Sequence, residues 1–545
     1  MVWLRVCVTP DNSAAINDLM AIASPARFGH NVSMLLIHPP VAKPSEPPAG
    51  IARLAGALSH HAIRHRLLDG NLEGLLWLLE QPVSASDTWS RRATRSLPQH
   101  LQALRDPTTY GSPDRYIRAV SDVSRLLALA GDESGASVGL ADYQHRQLSP
   151  LCSDDLIAAA GTPEHNPFFP WFSRRLPDLV EEVQLVGFSL NYLSQALTSF
   201  AMIGFIRRHY PTLTIILGGG LVTSWLQRPH WQNPFAGLID ELVAGPGEEM
   251  LLAHCKVQVA STVCTTPEYG SLPLNDYLAP GVILPYSAAS GCYWNRCSFC
   301  PERAEGNGYH PLPIQAVVSD LKLLSDRHRP LLIHLLDNAV TPALLRQLIE
   351  QPPGPPWYGF ARIDEQLADL DFCLALRRSG CVMLKLGVES GDQRVLDRLH
   401  KGVQLDAISR ALKNLRQAGI SVYCYLLFGT PAEDEAAARQ TLDFVAQHAD
   451  AITFLNLAIF NMPALSPEAL KYNSEPFYDG DLSLYTSFTH PLGWDRRGVR
   501  RFVSQEFSRH PAVAPILRRD PPLFTSNHAP FLAQPDLFTS PWWQR

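Results

Sequence analysis

Residues 291–300 read Gly-Cys-Tyr-Trp-Asn-Arg-Cys-Ser-Phe-Cys, so three of the ten cysteines of this 545-residue chain fall within nine positions. None of the other seven cysteines belongs to a comparable group. A local group of cysteines in a large chain is typical of a metal site, whereas scattered cysteines are by default small buried apolar residues. Cys292, Cys297 and Cys300 are therefore the candidate metal ligands and the candidate catalytic residues.

The spacing of these thiolates suits an iron–sulfur cubane. A tight loop can direct three sulfurs to one [4Fe–4S] cluster, and the fourth iron then stays open. S-adenosylmethionine (SAM) can chelate an open iron through its amino and carboxylate groups, and one electron passed to its sulfonium cleaves a carbon–sulfur bond. The alternative is a closed zinc site, which requires four ligands; His310 is the nearest downstream histidine that could supply the fourth.

Apolar runs alternate with helical patterns around the cysteine loop and predict parallel strands. The strand candidates are residues 282–285, 331–336, 357–361, 382–388, 422–428 and 452–459. Six such repeats predict a partial (β/α)6 barrel of the TIM type over residues 282–475. The cysteine loop follows the first of these strands, at the end of the strand where β/α barrels place their working residues.

A second α/β pattern precedes the barrel. Its strand candidates are apolar throughout and alternate with helices, which indicates a parallel sheet covered on both faces. We therefore expect an α/β fold with an open, doubly wound, Rossmann-like domain over residues 33–255. An insertion of modest helical pieces is expected at about 84–175, where Ser, Arg, Asp and Pro are frequent. The other predicted divisions are an N-terminal extension (1–32), a linker (256–281) and a C-terminal extension (476–545).

Composition argues against several partners. The formal net charge is −6, and Lys and Arg are scattered among Asp and Glu, which speaks against a nucleic-acid partner. No uninterrupted apolar stretch of about 18 residues occurs, and the N-terminus has no secretory signal pattern. We expect a cytoplasmic protein without a membrane partner.

The cysteine loop resembles the fingerprint of the radical SAM superfamily, in the class with an N-terminal cobalamin (B12)-binding domain. The resemblance lies in Gly291-Cys292-Tyr293-Trp294 and in the Cys-Ser-Phe-Cys-Pro-Glu segment at 297–302, and it covers most of residues 33–465. The usual fingerprint has three residues between its first two cysteines and two between the last pair, whereas this chain has four and two. Variants with a longer first gap exist in the superfamily.

The resemblance implies a SAM site at the ends of the barrel strands. Such members receive the SAM amino group after the second strand, its ribose after the fourth and its adenine after the fifth. An arginine after the third strand could meet a carboxylate, and a glycine after the fifth would permit close backbone approach to adenine. The implied SAM-binding residues are Phe299, Asp337, Asn338, Arg362, Glu389, Ser390 and Gly429.

The same resemblance implies cobalamin binding by the N-terminal domain. Glycines let the backbone approach a bulky nucleotide tail, while small hydroxyls hydrogen-bond its polar edge. No Asp-x-His-x-x-Gly sequence occurs, so we expect cobalt without a histidine ligand from that motif. The implied cobalamin-binding residues are Ser189, Asn191, Gly219, Gly220, Thr223, Gly247 and Glu248.

The implied activity is reductive SAM cleavage at a [4Fe–4S] cluster with cobalamin-dependent methyl transfer to an unactivated carbon. The alternatives are a cobalamin-associated cyclase, oxidase or rearrangement enzyme that transfers no methyl group, and a non-catalytic iron–sulfur protein. The expected partners are a small-molecule or peptide substrate and an external electron donor such as flavodoxin or ferredoxin.

Overall fold

The computed structural model describes residues 33–257, 264–472, 474–521 and 528–532. The predicted N-terminal extension (1–32) lies outside the described residues, as do parts of the predicted linker and C-terminal extension. The described chain is built around two parallel sheets, one in each half, which confirms the predicted α/β fold class.

The first sheet has five parallel strands. They are β1 (Ser33–His38), β2 (Arg64–Asp69), β3 (Leu185–Ser189), β4 (Thr214–Gly218) and β5 (Glu241–Val243). Their spatial order is β2-β1-β3-β4-β5, one of the two common orders of doubly wound sheets. Met34 to Ile37 of β1, an inner strand, are buried, because helices cover both faces of the sheet.

Nine helices in the described residues accompany this sheet. They are α1 (Ala49–His60), α2 (Gly70–Glu80), α3 (Thr88–Arg105), α4 (Pro113–Asp132), α5 (Ser153–Gly161), α6 (Phe169–Val180), α7 (Leu193–His209), α8 (Gly220–Leu226) and α9 (Glu248–His254). A short antiparallel pair, Ala136–Val138 with Tyr143–His145, lies between α4 and α5.

The region predicted as an insertion contains longer helices than its polar composition indicates. Helices α3 and α4 have 18 and 20 residues and pack against each other. Polar side chains stabilise this pair: Asp87 caps α3 by accepting from the Ser90 backbone N–H at 2.8 Å. Asp122, buried on α4, accepts from Trp89 Nε1 at 2.6 Å and faces His100 at 3.0 Å.

The second sheet has six parallel strands in sequence order. They are β6 (Ile283–Tyr286), β7 (Leu332–Val340), β8 (Trp357–Ala361), β9 (Cys381–Glu389), β10 (Ser421–Phe428) and β11 (Phe454–Ile459). The accompanying helices are α10 (Pro301–Ala304), α11 (Ile314–His328), α12 (Pro342–Glu350), α13 (Leu370–Arg378), α14 (Gln393–Arg398), α15 (Leu405–Ala418) and α16 (Glu435–Gln447). Neighbouring strands pair in the order 6-7-8-9-10-11, the arrangement expected of a partial (β/α)6 barrel.

The chain after β11 packs against the barrel. It contributes a small antiparallel sheet (Met462–Pro463, Ser474–Pro476 and Tyr485–Phe488) and the helices α17 (Arg496–Phe502) and α18 (Ala514–Arg519). Phe502 and Phe507 contact the ring of Phe428 at the end of β10. His528 packs on Tyr423 inside the barrel, with ring centroids 4.4 Å apart.

The two halves meet through a buried polar contact. Glu46, in the loop after β1, lies 2.9 Å from Nδ1 of His334 on β7. Nε2 of the same histidine lies 3.3 Å from Nζ of Lys385 on β9. Burial lowers the pKa of Lys385 to about 8. Within the described ranges, no helix is long and apolar enough to cross a membrane.

Candidate functional site

The cysteine loop lies at the carboxyl end of β6. Cys297 is buried and Cys292 and Cys300 are half-buried, and the Cys300 backbone N–H donates to the Cys297 carbonyl at 3.2 Å. Burial raises the pKa of Cys297 and raises that of Cys300 to about 11. The neighbouring Cys292 thiol raises the pKa of Cys297 further, and the Cys297 thiol does the same for Cys300.

A closed zinc site would require His310 as a fourth ligand beside the three cysteines. Among the described residues, no three or more His, Cys, Asp or Glu side chains are grouped tightly enough to hold one metal ion. A cubane binds each thiolate to a different iron, so its ligands stand farther apart than those of one zinc ion. His310, the alternative zinc ligand, is exposed and pairs through its backbone with Ser290.

Arg362, at the end of β8, contacts the cysteine loop. Its Nη1 lies 3.9 Å from Cys297 Sγ, and its other terminal nitrogen donates to the Lys401 carbonyl. The guanidinium carbon lies 4.0 Å from the centroid of the Trp294 ring. The resemblance implies that Arg362 could meet a carboxylate; in the structure its guanidinium lies against the cysteine loop.

Lys401 is a site residue that the sequence did not reveal. Its Nζ lies 2.7 Å from Glu389 Oε1, and both side chains are about 10% exposed. Glu389 ends β9 with a φ of +65°, a left-handed conformation that is uncommon for a residue with a side chain. Lys401 also lies 5.6 Å from the ring of Phe299. Twelve residues separate the ion pair along the chain, so no local motif marks it.

Of the two residues predicted to bind the SAM amino group, one is buried and the other is exposed. Asp337 is buried, and its Oδ2 accepts from the Ala288 backbone N–H at 3.1 Å. Burial raises the pKa of Asp337 to about 6. Asn338 is exposed and its Nδ2 donates to the Gly291 carbonyl at 3.3 Å. Both residues therefore support the backbone that carries the cysteines, and Asn338 is the one accessible from solvent.

Ser390 differs from its neighbour Glu389 in being fully buried. Its hydroxyl pairs with Thr441 Oγ1 at 3.2 Å and accepts from the Asp392 backbone N–H at 3.1 Å. These contacts stabilise the start of α14. The Ser390 hydroxyl therefore has its hydrogen-bond partners within the protein.

Gly429 turns the chain sharply after β10. Its φ is +78°, and a Cβ at this position would lie 3.0 Å from a methyl group of Val499. The Gly429 backbone N–H donates to Glu433 Oε2 at 2.5 Å, and Trp494 Nε1 donates to the same oxygen at 3.3 Å. Glu433 is fully buried, and burial raises its pKa to about 8.

A cavity of about 400 Å³ lies at the carboxyl edge of the first sheet. Its volume is in the range of small-molecule and cofactor sites. Aliphatic side chains such as Leu36, Leu54 and Ile216 form much of its wall. All the positions predicted to bind cobalamin line it, namely Ser189, Asn191, Gly219, Gly220, Thr223, Gly247 and Glu248.

Polar side chains brace the loops around this cavity. Asn191 accepts from the Gly220 backbone N–H at 3.0 Å and donates to Ser189 Oγ at 3.0 Å. Thr223 Oγ1 accepts from the Gly245 backbone N–H at 2.9 Å. Gly219 has a φ of +110°, and a Cβ there would lie 2.4 Å from a backbone carbonyl oxygen. The site therefore requires glycine at position 219.

The cavity also has a wall from the barrel half. Ser287, Ser290 and Leu336 line it, and Ser290 precedes Gly291 and Cys292 directly. The cysteine loop and the cavity are thus adjacent along the chain and in space. Arg53, paired with Glu248, lines the cavity as well. These four wall residues were absent from the sequence prediction.

Residues 286–445, which include the cysteine loop and most of the barrel, match the model of the Radical SAM superfamily. The barrel half of this chain is therefore similar to the radical SAM domain. The fold as a whole is similar to that of a solved cobalamin-dependent S-adenosylmethionine radical enzyme, OxsB with aqua-cobalamin bound. That structure aligns with a TM-score of 0.55 at 13% identity over 88% of this chain and 67% of that one.

Two curated proteins are similar in sequence. An uncharacterized methyltransferase of Pyrococcus horikoshii is 24% identical over 189 residues, which are 33% of this chain and 40% of that protein. The anaerobic magnesium-protoporphyrin IX monomethyl ester cyclase of Rubrivivax gelatinosus is 25% identical over 208 residues, 36% of this chain and 37% of that protein. This chain thus matches about two fifths of the length of either relative.

Proposed function

We propose that this chain is a cobalamin-dependent radical SAM enzyme that transfers a methyl group to an unactivated carbon. The proposal rests on one observation, which is that the cysteine loop begins at the wall of the cavity. Ser290 lines the cavity and Cys292 follows two residues later, so groups bound at the two places would be neighbours. The similarity to a methyltransferase and to a cobalamin enzyme fold supports this assignment.

In this proposal Cys292, Cys297 and Cys300 hold a [4Fe–4S] cluster. When bound, the cluster supplies the electron that cleaves SAM to a 5′-deoxyadenosyl radical, and cobalamin supplies the methyl group. The protein orients these groups and keeps water away. Burial and the raised pKa values of Cys297 and Cys300 favour release of the protons of these two thiols only on metal binding.

The SAM contacts would come from the mouth of the barrel. Asn338 offers an exposed amide beside the cysteine loop, and Glu389, held by Lys401, offers a carboxylate to the ribose hydroxyls. Gly429 lets the backbone approach a flat base, since it has no side chain. Phe299 is half-buried and provides an aromatic face for the same base.

The cavity would hold cobalamin without a histidine ligand from the chain. Its glycine loops allow close backbone approach, and its aliphatic wall excludes water from one face of a flat macrocycle. Ser189, Asn191 and Thr223 are fixed by mutual and backbone hydrogen bonds, so their positions are set before a ligand binds.

One experiment separates the two cofactor sites. The chain is purified anaerobically with cobalamin supplied, and iron, sulfide and cobalt are measured in three variants. Cys297→Ser should lose iron and sulfide but keep cobalt, whereas Gly219→Ala should lose cobalt but keep iron. Cys264→Ser, an exposed cysteine outside the loop, is the matched control and should keep both.

Activity is then tested with SAM and a reductant. The unaltered chain should form 5′-deoxyadenosine, and the electron paramagnetic resonance spectrum of its reduced cluster should shift when SAM is added. If neither occurs in protein with full iron content, the cluster is structural and the proposal is wrong.

The second candidate is a cobalamin-associated radical cyclase that transfers no methyl group, which the similarity to the cyclase favours. Product mass separates the candidates. Methyl transfer adds one methylene unit to the product and forms S-adenosylhomocysteine, whereas the cyclase reaction does neither.

A further inference from the structure

The cysteine loop has a surface feature that the proposed function does not use. Trp294 lies between two guanidinium groups, that of Arg362 at 4.0 Å from the ring centroid and that of Arg296 at 5.0 Å. Arg362 contacts the Cys297 thiol, whereas Arg296 is exposed. Side chains in contact therefore lead from solvent to one of the cluster ligands.

The Trp294 ring is held in place from several sides. Its Nε1 donates to the His400 carbonyl at 3.1 Å. A Cβ on Gly402 would lie 2.2 Å from the ring, so the ring packs directly on that backbone. Asn295, the next residue, has a φ of +43°, a left-handed conformation typical of a turn. Trp294 is therefore a fixed platform on the outside of the loop.

Further arginines lie next to the cysteine loop in a chain whose net charge is −6. Arg303 donates to the Arg296 carbonyl at 3.0 Å, and Arg398 is exposed at the end of α14. Leu399, next to Arg398, accepts from the Ser298 backbone N–H at 3.0 Å, which ties that helix end to the cysteine loop. We call Arg296, Arg303 and Arg398 the arginine edge; its acidic neighbours are Glu302 and Asp397.

We propose that the arginine edge docks an acidic one-electron donor protein, with Trp294 at the centre of the contact. The inference rests on the proposed function, because a cluster must be present to accept the electron. One electron leaves the flavin hydroquinone of such a donor, which becomes a semiquinone, and the cluster is reduced by that electron. Cationic side chains attract an acidic partner over a distance, and an aromatic platform adds contact area at the centre.

The test uses the reconstituted holoenzyme and a bacterial flavodoxin in its hydroquinone form. Stopped-flow absorbance gives the rate of cluster reduction, and a titration gives the dissociation constant of the complex. Arg296→Glu and Arg398→Glu are compared with Arg378→Glu, which makes the same charge change at an exposed position of α13 at the opposite end of the barrel. Dithionite, which requires no docking surface, is the second reductant.

Each variant of the arginine edge should slow reduction by flavodoxin roughly tenfold at low ionic strength and raise the dissociation constant similarly. The difference should shrink at high salt, because salt screens exposed charges. Reduction by dithionite, iron content and the Arg378→Glu rates should stay unchanged. Equal flavodoxin rates in all variants would overturn the docking site while leaving the proposed function intact. Failure of the unaltered chain to assemble a cluster would overturn both.

Discussion

The buried carboxyl of Glu433 predicts an unusual dependence of stability on pH. Burial raises its pKa from the usual 4.5 to about 8, so the folded protein keeps this proton where the unfolded chain has lost it. The contribution of Glu433 to the free energy of unfolding is therefore largest below pH 4.5, and it falls as the pH rises toward 8. At about 1.4 kcal/mol per pH unit, the loss over this window approaches about 5 kcal/mol.

Glu433→Gln removes the titration while keeping an oxygen that can accept from Gly429 and Trp494. The melting temperature of the variant should rise relative to the parent between pH 5 and pH 8, by on the order of 10 °C if the barrel unfolds as one unit. Differential scanning fluorimetry at one-unit pH steps measures this difference. Glu435→Gln, which changes a neighbouring residue in a surface ion pair, is the control. It should change the melting temperature by the same amount at pH 5 and at pH 8.

Parallel curves for parent and Glu433→Gln would refute the reasoning. They would mean that the Glu433 carboxyl is already ionised in the folded protein. An ionised carboxyl would need a hydrogen-bond donor at Oε1, and among the described residues Oε1 is buried without one. The reasoning would also be refuted if the advantage of Glu433→Gln over the parent became smaller as the pH rises. That direction is expected for a carboxyl whose pKa is lowered in the folded protein.

Three further outcomes follow from the site. Lys401→Met leaves Glu389 buried without its ion-pair partner, so the variant should lose about 3–5 kcal/mol of stability, measured by chemical denaturation, and should bind SAM more weakly in equilibrium dialysis. Gly402→Ala should displace the Trp294 ring, seen as a changed tryptophan emission maximum, together with a lower iron content. Asn338→Ala should raise the dissociation constant for SAM several-fold while iron content stays at the parental level; an unchanged constant would remove it from the SAM site.

The strands were the part of the fold most accessible from sequence. The run 357–361 coincides with β8 and the run 422–428 lies within β10, because strands buried on both faces are apolar throughout. Helices α3 and α4 were underestimated. Helix α4 buries Tyr116, Val120, Val123 and Leu127 at helical spacing in the core of the first half, and the many Ser, Arg, Asp and Pro residues around these positions obscured that pattern.

The candidate site residues were chosen because they follow strand ends. Those after β3 and β4 line the cavity, whereas those after β9 remain predictions. Partners that come from elsewhere in the chain were missed, as with Lys401 opposite Glu389. The contact of Arg362 with the cysteine loop was also not predictable, since the position of an arginine after a strand does not show which loop its side chain reaches.

The contact between the two halves explains how separate cofactor sites could operate together. Glu46, His334 and Lys385 form a buried chain of charged and polar groups from the first half into the barrel. Removing such groups from water is unfavourable, so an apolar interface would serve stability at least as well. A directional contact, however, permits only one relative placement of the two sheets. With that placement, Ser287, Ser290 and Leu336 line a cavity whose other lining residues belong to the first half. An apolar interface has no directional contacts and would fix this placement less well.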